Sequence, residues 1–331
     1  MSVNARQEAF DRVGGRFDAR VLEPSPPAVD DPPWFADDPV APEPRRDGLP
    51  LLSPVGDGGL TWDRLARDEP ELADWCADRW LGAWRRLRAL PSSGDALATT
   101  RDALHAVAEN VLAPARRRAN GKIGLRYTSG GFGTPFFGAD GDGGADEQVR
   151  VEGSDLVVVR NGREERAPVT TIAAAGLLVG IDPRPPADLY QPSTTLDHDA
   201  ALAVDHDAAR LLGDWFGFGC SVLEELRAST GATDRRTQLW PEHFDLSVDI
   251  GDEAIGTRGT FGASPGDALH PEPYLYVTHW KVDVPPDPFW GDTAFTGASL
   301  AYATLLDVAD QRTTALDFFR TGLTVLGVPE R

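Results

Sequence analysis

Two stretches carry the densest chemistry in the chain, WPEHFDL at residues 240 to 246 and HPEPYLYVTHW at residues 270 to 280. Three of the six histidines, His243, His270 and His279, fall in them beside Glu242 and Asp245. On an extended strand His243 and Asp245 point to one face, and Glu242 and Phe244 to the other. If the second stretch pairs with the first, His279 or His270 joins that group. His243, Asp245 and His279 then make a ligand set for a divalent metal, while His243, Asp245 and Glu242 suit a general base oriented by a carboxylate. A buried histidine satisfied by a neighbouring Asp or carbonyl produces the same pattern and is the commoner outcome.

A second candidate is the glycine-rich GGFGTPFFG at residues 130 to 138, preceded by Lys122 and Arg126. It lacks the spacing of a Walker loop or a dinucleotide fingerprint. Its glycines allow close backbone approach, so Lys122, Arg126, Gly131 and Gly133 form a candidate site for a small anionic or polar ligand. A glycine-rich hairpin with aromatic packing explains the same residues structurally.

Three further motifs are better explained structurally. GASPG at residues 262 to 266 has the outline of a nucleophile elbow, but Pro265 has no amide to donate to an oxyanion. DGDGGADE has Ala145 and Val151 where a calcium loop needs glycine and glutamate. The repeated DHDAA pairs Asp and His as metal ligands do, but it places Asp205 or Asp207 to cap the helix that follows, the commoner use.

The elements that must position these residues follow from periodicity. A capped helix is predicted from Asp68 to about Leu90, with Leu72, Cys76, Trp80, Trp84 and Leu87 in its stripe. A second spans roughly 95 to 112, ended or kinked at Pro114, with Arg116 to Arg118 and Asn120-Gly121 suited to a helix C-terminus. Strands follow at GKIGLRYT and QVRVEGSDLVVV, with Asn161-Gly162 as a hairpin turn. TTIAAAGLLVGID reads equally as helix or buried strand. A long helix is expected over 207 to 229, then a strand at RRTQLWPEHFDLSVDI, a glycine-rich turn at GTRGTFGASPGD, a strand at PYLYVTHWKV and a final helix over 310 to 326. Helix followed by sheet thus occurs twice, a sign of internal duplication.

Composition bounds the setting. The chain has 331 residues and a net charge of −20, and its basic residues are 30 Arg against only Lys122 and Lys281. Such a surface suits a salt-adapted, halophilic protein, because net charge acts on solubility and not on fold. It repels phosphate backbones, so nucleic acid is not an expected partner. The polar N-terminus and the lack of a long apolar run point to a soluble cytoplasmic protein with no membrane partner. Cys76 and Cys220 have no zinc or disulfide spacing and read as core. Residues 22 to 59 hold ten prolines and read as an irregular arm.

GKIGLRYT with GGFGTPFF, LWPEHFDL, and SPGD with HPEPYLYV resemble a family of uncharacterised bacterial and archaeal proteins over about residues 100 to 300. The resemblance implies a globular protein to which the arm is an addition, and it assigns no catalytic residue. The expected fold is α+β, with an arm over 1–60 and two helix-plus-antiparallel-sheet halves, 61–195 and 196–331, packed as one body. Binding of a small anionic or polar ligand is the leading expectation. A metal-assisted enzyme centred on His243, Asp245 and His279, and a structural or protein-interaction role, are the alternatives. The sequence specifies neither a cofactor nor an oligomeric state.

Overall fold

The computed structural model describes residues 45–46, 49–50, 67–72, 87–90, 94–128, 130–134, 147–160, 163–193, 197–230, 237–281 and 286–330. Most of the predicted arm, most of the predicted helix over 68 to 90, the Asn161-Gly162 turn and nearly all of DGDGGADE lie outside these residues.

The protein is α+β, with helices and two antiparallel five-stranded sheets. Helix α1 (Gly94–Val107) buries Leu97, Leu104 and Val107 and runs into a π-helical turn, Ala108–Leu112, before continuing as α2 (Ala113–Asn120). Pro114 therefore does not end the helix. A proline has no amide for residue 110 and crowds that carbonyl, and the widened turn accommodates it, with the Ala113 amide donating five residues back to Ala108. Gly121, at φ 78°, closes α2 in the left-handed conformation and donates to the Arg117 carbonyl.

The first sheet is a meander of β1 (Arg126–Thr128), β2 (Gly131–Gly133), β3 (Glu147–Glu152), β4 (Asp155–Arg160) and β5 (Arg163–Pro168), hydrogen-bonded in chain order. The ambiguous apolar segment is a helix, α3 (Ile172–Val179), whose N-cap Thr171 accepts from the Ala174 amide at 3.0 Å.

Helix α4 (His206–Thr230) starts at Asp205, whose Oδ1 accepts from the Ala208 amide at 2.9 Å. A second meander follows, β6 (Gln238–Trp240), β7 (Asp245–Ile250), β8 (Gly259–Ser264), β9 (Tyr274–His279) and β10 (Gly297–Ala301). Helices α5 (Tyr302–Leu306) and α6 (Gln311–Leu326) complete the chain. Asp310 caps α6 by accepting from Thr313.

Two expectations are corrected here. RRTQLWPEHFDLSVDI is not one strand: residues 241–244 form a tight turn between β6 and β7, with the Phe244 amide donating to Trp240 at 2.7 Å. Pro241 cannot supply a ladder hydrogen bond, and Phe244 takes φ 55°, so the chain reverses there. GTRGTFGASPGD is not all turn either, because residues 259–264 of it form the central strand of the second sheet.

The sheets meet at their first strands. Leu125 and Leu239 exchange backbone hydrogen bonds of 2.7 and 2.9 Å in an antiparallel bridge. Helix α4 covers the junction and contacts strands of both sheets. A Cβ at Gly213 would stand 2.4 Å from the Gly130 carbonyl oxygen, so only glycine permits that approach to the first sheet. Trp215, Phe216, Phe218 and Leu223 on α4 share one core with Phe132, Val149, Leu246 and Phe261 from the two sheets.

Candidate functional site

Alternation along the second sheet separates two chemistries. Leu246, Val248 and Ile250 on β7, Phe261 and Ala263 on β8, and Leu275 and Val277 on β9 are buried in the core. The intervening positions are polar or aromatic except for Gly262: Asp245, Ser247 and Asp249, then Thr260 and Ser264, then Tyr274, Tyr276 and Thr278. A cleft of about 690 Å3 lies over this second face. The turn at residues 241–244 and the loops before β9 and β10 supply its other walls, with Glu242, His243, His270 and Phe295. Its size falls within the roughly 300–1,000 Å3 common for small-molecule sites. Among the described residues its lining contains several carboxylates and no lysine or arginine.

Asp245 is 7% exposed, and the Tyr276 hydroxyl donates a short hydrogen bond to its Oδ2. Its Oδ1 is buried without a hydrogen-bond partner. Gly262 makes the Tyr276 contact geometrically feasible, because it lies between β7 and β9 and a Cβ there would stand 2.3 Å from the Tyr276 ring. Burial pushes the Asp245 carboxyl above its ordinary range, opposed by His243 and the Tyr276 bond. Burial, reinforced by the Asp245 carboxylate, pushes the Tyr276 hydroxyl well up, so it remains a donor at neutral pH. Glu242 has a buried, unpartnered Oε2. Burial, followed among the raising influences by Asp245 and Glu109, lifts its carboxyl too.

Across the cleft His270 is held by a carboxylate. Its Nε2 lies 3.1 Å from Asp292 Oδ2, and its Nδ1 is buried without a partner. Asp292 also accepts from the Ser299 hydroxyl and from the Ala294 amide at 2.7 Å. Although burial opposes it, these bonds and His270 hold the Asp292 carboxyl below its ordinary range. The His270 ring lies 4.5 Å from Tyr274, whose hydroxyl donates to Asp267 at 2.7 Å. At another edge of the cleft Trp280 stacks under the Arg258 guanidinium at 3.7 Å, while Arg258 donates to Asp249 at 2.6 Å and to Glu253 at 2.7 Å.

The π turn places Glu109 among these groups. Glu109 is fully buried and accepts from the Ser193 amide at 3.0 Å and from the Ser193 hydroxyl. One turn earlier, His105 donates to the Pro241 carbonyl at 2.8 Å and stacks on Phe244, with ring centroids 5.1 Å apart. Helix α1 thus braces the turn that carries Glu242 and His243.

The residues expected from the sequence divide. Glu242, His243 and Asp245 line one cleft, although His243 is exposed on the turn and not on a strand. His279 does not join them. It has the strand parity of Leu275 and Val277, pairs with Gly259 at the far end of β9, lies 2.8 Å by its Nδ1 from the Lys281 carbonyl and packs on Trp290. The set His243, Asp245 and His279 is therefore not assembled, and among the described residues no group of three His, Cys, Asp or Glu side chains is arranged to hold a metal ion.

Lys122, Arg126, Gly131 and Gly133 lie outside the cleft lining. Lys122 is buried, and Arg126 donates to Gln238 at 2.9 Å across the junction between the sheets. A Cβ on Gly131 would meet the Val151 carbonyl oxygen at 2.2 Å, and one on Gly133 the Arg150 Cβ at 2.4 Å, so both glycines serve close strand packing.

Sequence reasoning did not single out Tyr274, Tyr276, Ser247 or Asp292 as site residues. The alternation of PYLYVTHW was the available signal for the tyrosines. Asp292 had none, because its contact with His270 comes from a loop remote in sequence. Comparison with protein-family models, with curated proteins and with solved structures found no match. Among the described residues no helix is long and apolar enough to cross a membrane.

Proposed function

We propose that this protein binds a small polar ligand in the cleft on the second sheet, and that the ligand is neutral or cationic. The expectation of an anion held by Lys122 and Arg126 is replaced, because the lining offers an anion no lysine or arginine. The observation that carries the reading is Asp245 Oδ1, a buried acceptor on the cleft wall with no partner in the protein. Leaving such an atom unsatisfied costs about 1–3 kcal/mol, and a ligand donor offsets that cost.

The test is a ligand screen followed by thermal melting on the full chain. Ala294→Trp, on the loop lining the cleft and outside the strands, narrows the cleft with added bulk. Compounds that raise the melting temperature of the parent protein are expected to lose that effect in Ala294→Trp. Binders whose NMR shift changes map away from the second sheet would overturn the reading.

Acid–base catalysis is the second reading, favoured by two carboxyls, Glu242 and Asp245, raised by burial in one cleft. It requires that a bound ligand be chemically converted and that Glu242→Gln abolish turnover while binding persists.

A further inference from the structure

The carboxylate end of the cleft and its aromatic wall together select among polar ligands. Asp245 Oδ1 and Glu242 Oε2 are both buried and unpartnered, Glu242 within the turn and Asp245 three residues on at the start of β7, and Asp245 is more than nine-tenths buried. Tyr274, Tyr276 and Phe295 form a ring cluster in the same cleft, with centroids 6.1 to 6.3 Å apart. Two acceptor-only groups beside π faces match a cation in two ways, through charge-assisted hydrogen bonds and through the ring quadrupoles. The Arg258 guanidinium already shows the pairing that this chemistry makes, between Trp280 and the carboxylates of Asp249 and Glu253. At the Asp245 end the lining provides no such cation.

We propose that the cleft takes a small organic cation, a guanidinium or primary ammonium on a short apolar stem, with its charge at Asp245 and Glu242 and its stem against Tyr274, Tyr276 and Phe295. This rests on the cleft being the ligand site and names the class of ligand. A guanidinium donates in a planar fork to both carboxylates, whereas an ammonium offers three donors from one point. The groups facing Asp245 are Glu242 and His243 on the turn, His105 on α1, and Tyr274 and Tyr276 on β9.

Calorimetric titration of the full chain at low salt tests it, with agmatine and butylamine as cationic probes, glucose and butanol as neutral ones and butyrate as the anion. At least one cation is expected to bind, and Asp245→Asn and Glu242→Gln each to weaken it roughly tenfold or more. Asp188→Asn, on the exposed Arg117 pair, is expected to leave affinity unchanged. Affinity for the cation should rise with pH as Asp245 ionises and then level off. Thermal melts confirm that each variant is folded, and Tyr276→Phe, which keeps the ring, gives a second reading of the same site with weaker binding expected.

A neutral probe that binds in the cleft while both cations fail overturns the cation class and leaves the cleft reading standing. A cation whose affinity is the same in Asp245→Asn and Glu242→Gln overturns the proposal as well. Cation binding that survives Ala294→Trp overturns both it and the cleft reading.

Discussion

The Tyr276 hydroxyl donates to Oδ2 of Asp245 from two strands away, reaching over Gly262 and leaving Oδ1 of the same carboxyl buried without a partner. One hydrogen bond thus holds a carboxylate in place while its second oxygen is left without a partner.

Asp245→Asn is expected to weaken cation binding roughly tenfold or more and to raise stability at pH 7 by about 1 kcal/mol, as when other strained functional groups are removed. The carboxyl is held above its ordinary 3.8 in the folded protein. Below that value both states keep the proton. As pH rises past it the unfolded chain ionises first, so stability falls until the folded carboxyl ionises too. Thermal melts across this range should show the advantage of Asp245→Asn over the parent widening as pH rises.

Asp292 is expected to behave in the opposite sense. Its carboxyl is held below 3.8, so its contribution is complete above that value and is lost as pH falls through the depressed one. Asp292→Asn turns an amide donor toward Ser299 or His270 and should destabilise by about 1–3 kcal/mol at pH 7. The difference between parent and variant in denaturant midpoints should shrink in acid.

Gly262→Ala is expected to displace the Tyr276 ring, because its new Cβ falls 2.3 Å from that ring. The Asp245 bond breaks, and overpacking costs about 1–3 kcal/mol. NMR titration of the Asp245 carboxyl should then give a still higher midpoint, since the Tyr276 bond holds it down in the parent.

Gly213→Ala tests the junction between the sheets. An exposed helical Gly→Ala gains about 1 kcal/mol from propensity. Here the Cβ meets a backbone oxygen at 2.4 Å, which cannot swing aside. A lowered denaturant midpoint is expected; a raised one would show that α4 does not depend on this close approach.

Much of the architecture was legible because it is written in short-range periodicity. The 3.6-residue spacing of Leu211, Trp215, Phe218 and Val222 marked α4, and the alternation in QVRVEGSDLVVV marked β3 and β4. Asp205 and Gly121 announced their helix ends through capping chemistry. The edge strand REERAP was not legible, since its charged residues are exposed and carry no apolar period. Nor was β8, whose glycines resemble a turn and are needed because neighbouring side chains lie over them.

By itself the sequence determined the α+β alternation, the helix caps and the acidity, because these depend on neighbours within a few residues or on composition. The turn at residues 241–244, by contrast, brings Glu242 to the cleft that Asp245 lines, although an extended strand would have put them on opposite faces. Only the tertiary structure decided which histidine stands beside them. A single residue of strand parity sends His279 to the other face, while Asp292, remote in sequence, holds His270 in the cleft. Nor could local pattern show that Lys122 is buried and that Arg126 bonds across the sheet junction, because that environment exists only once Leu125 and Leu239 bring the two sheets together.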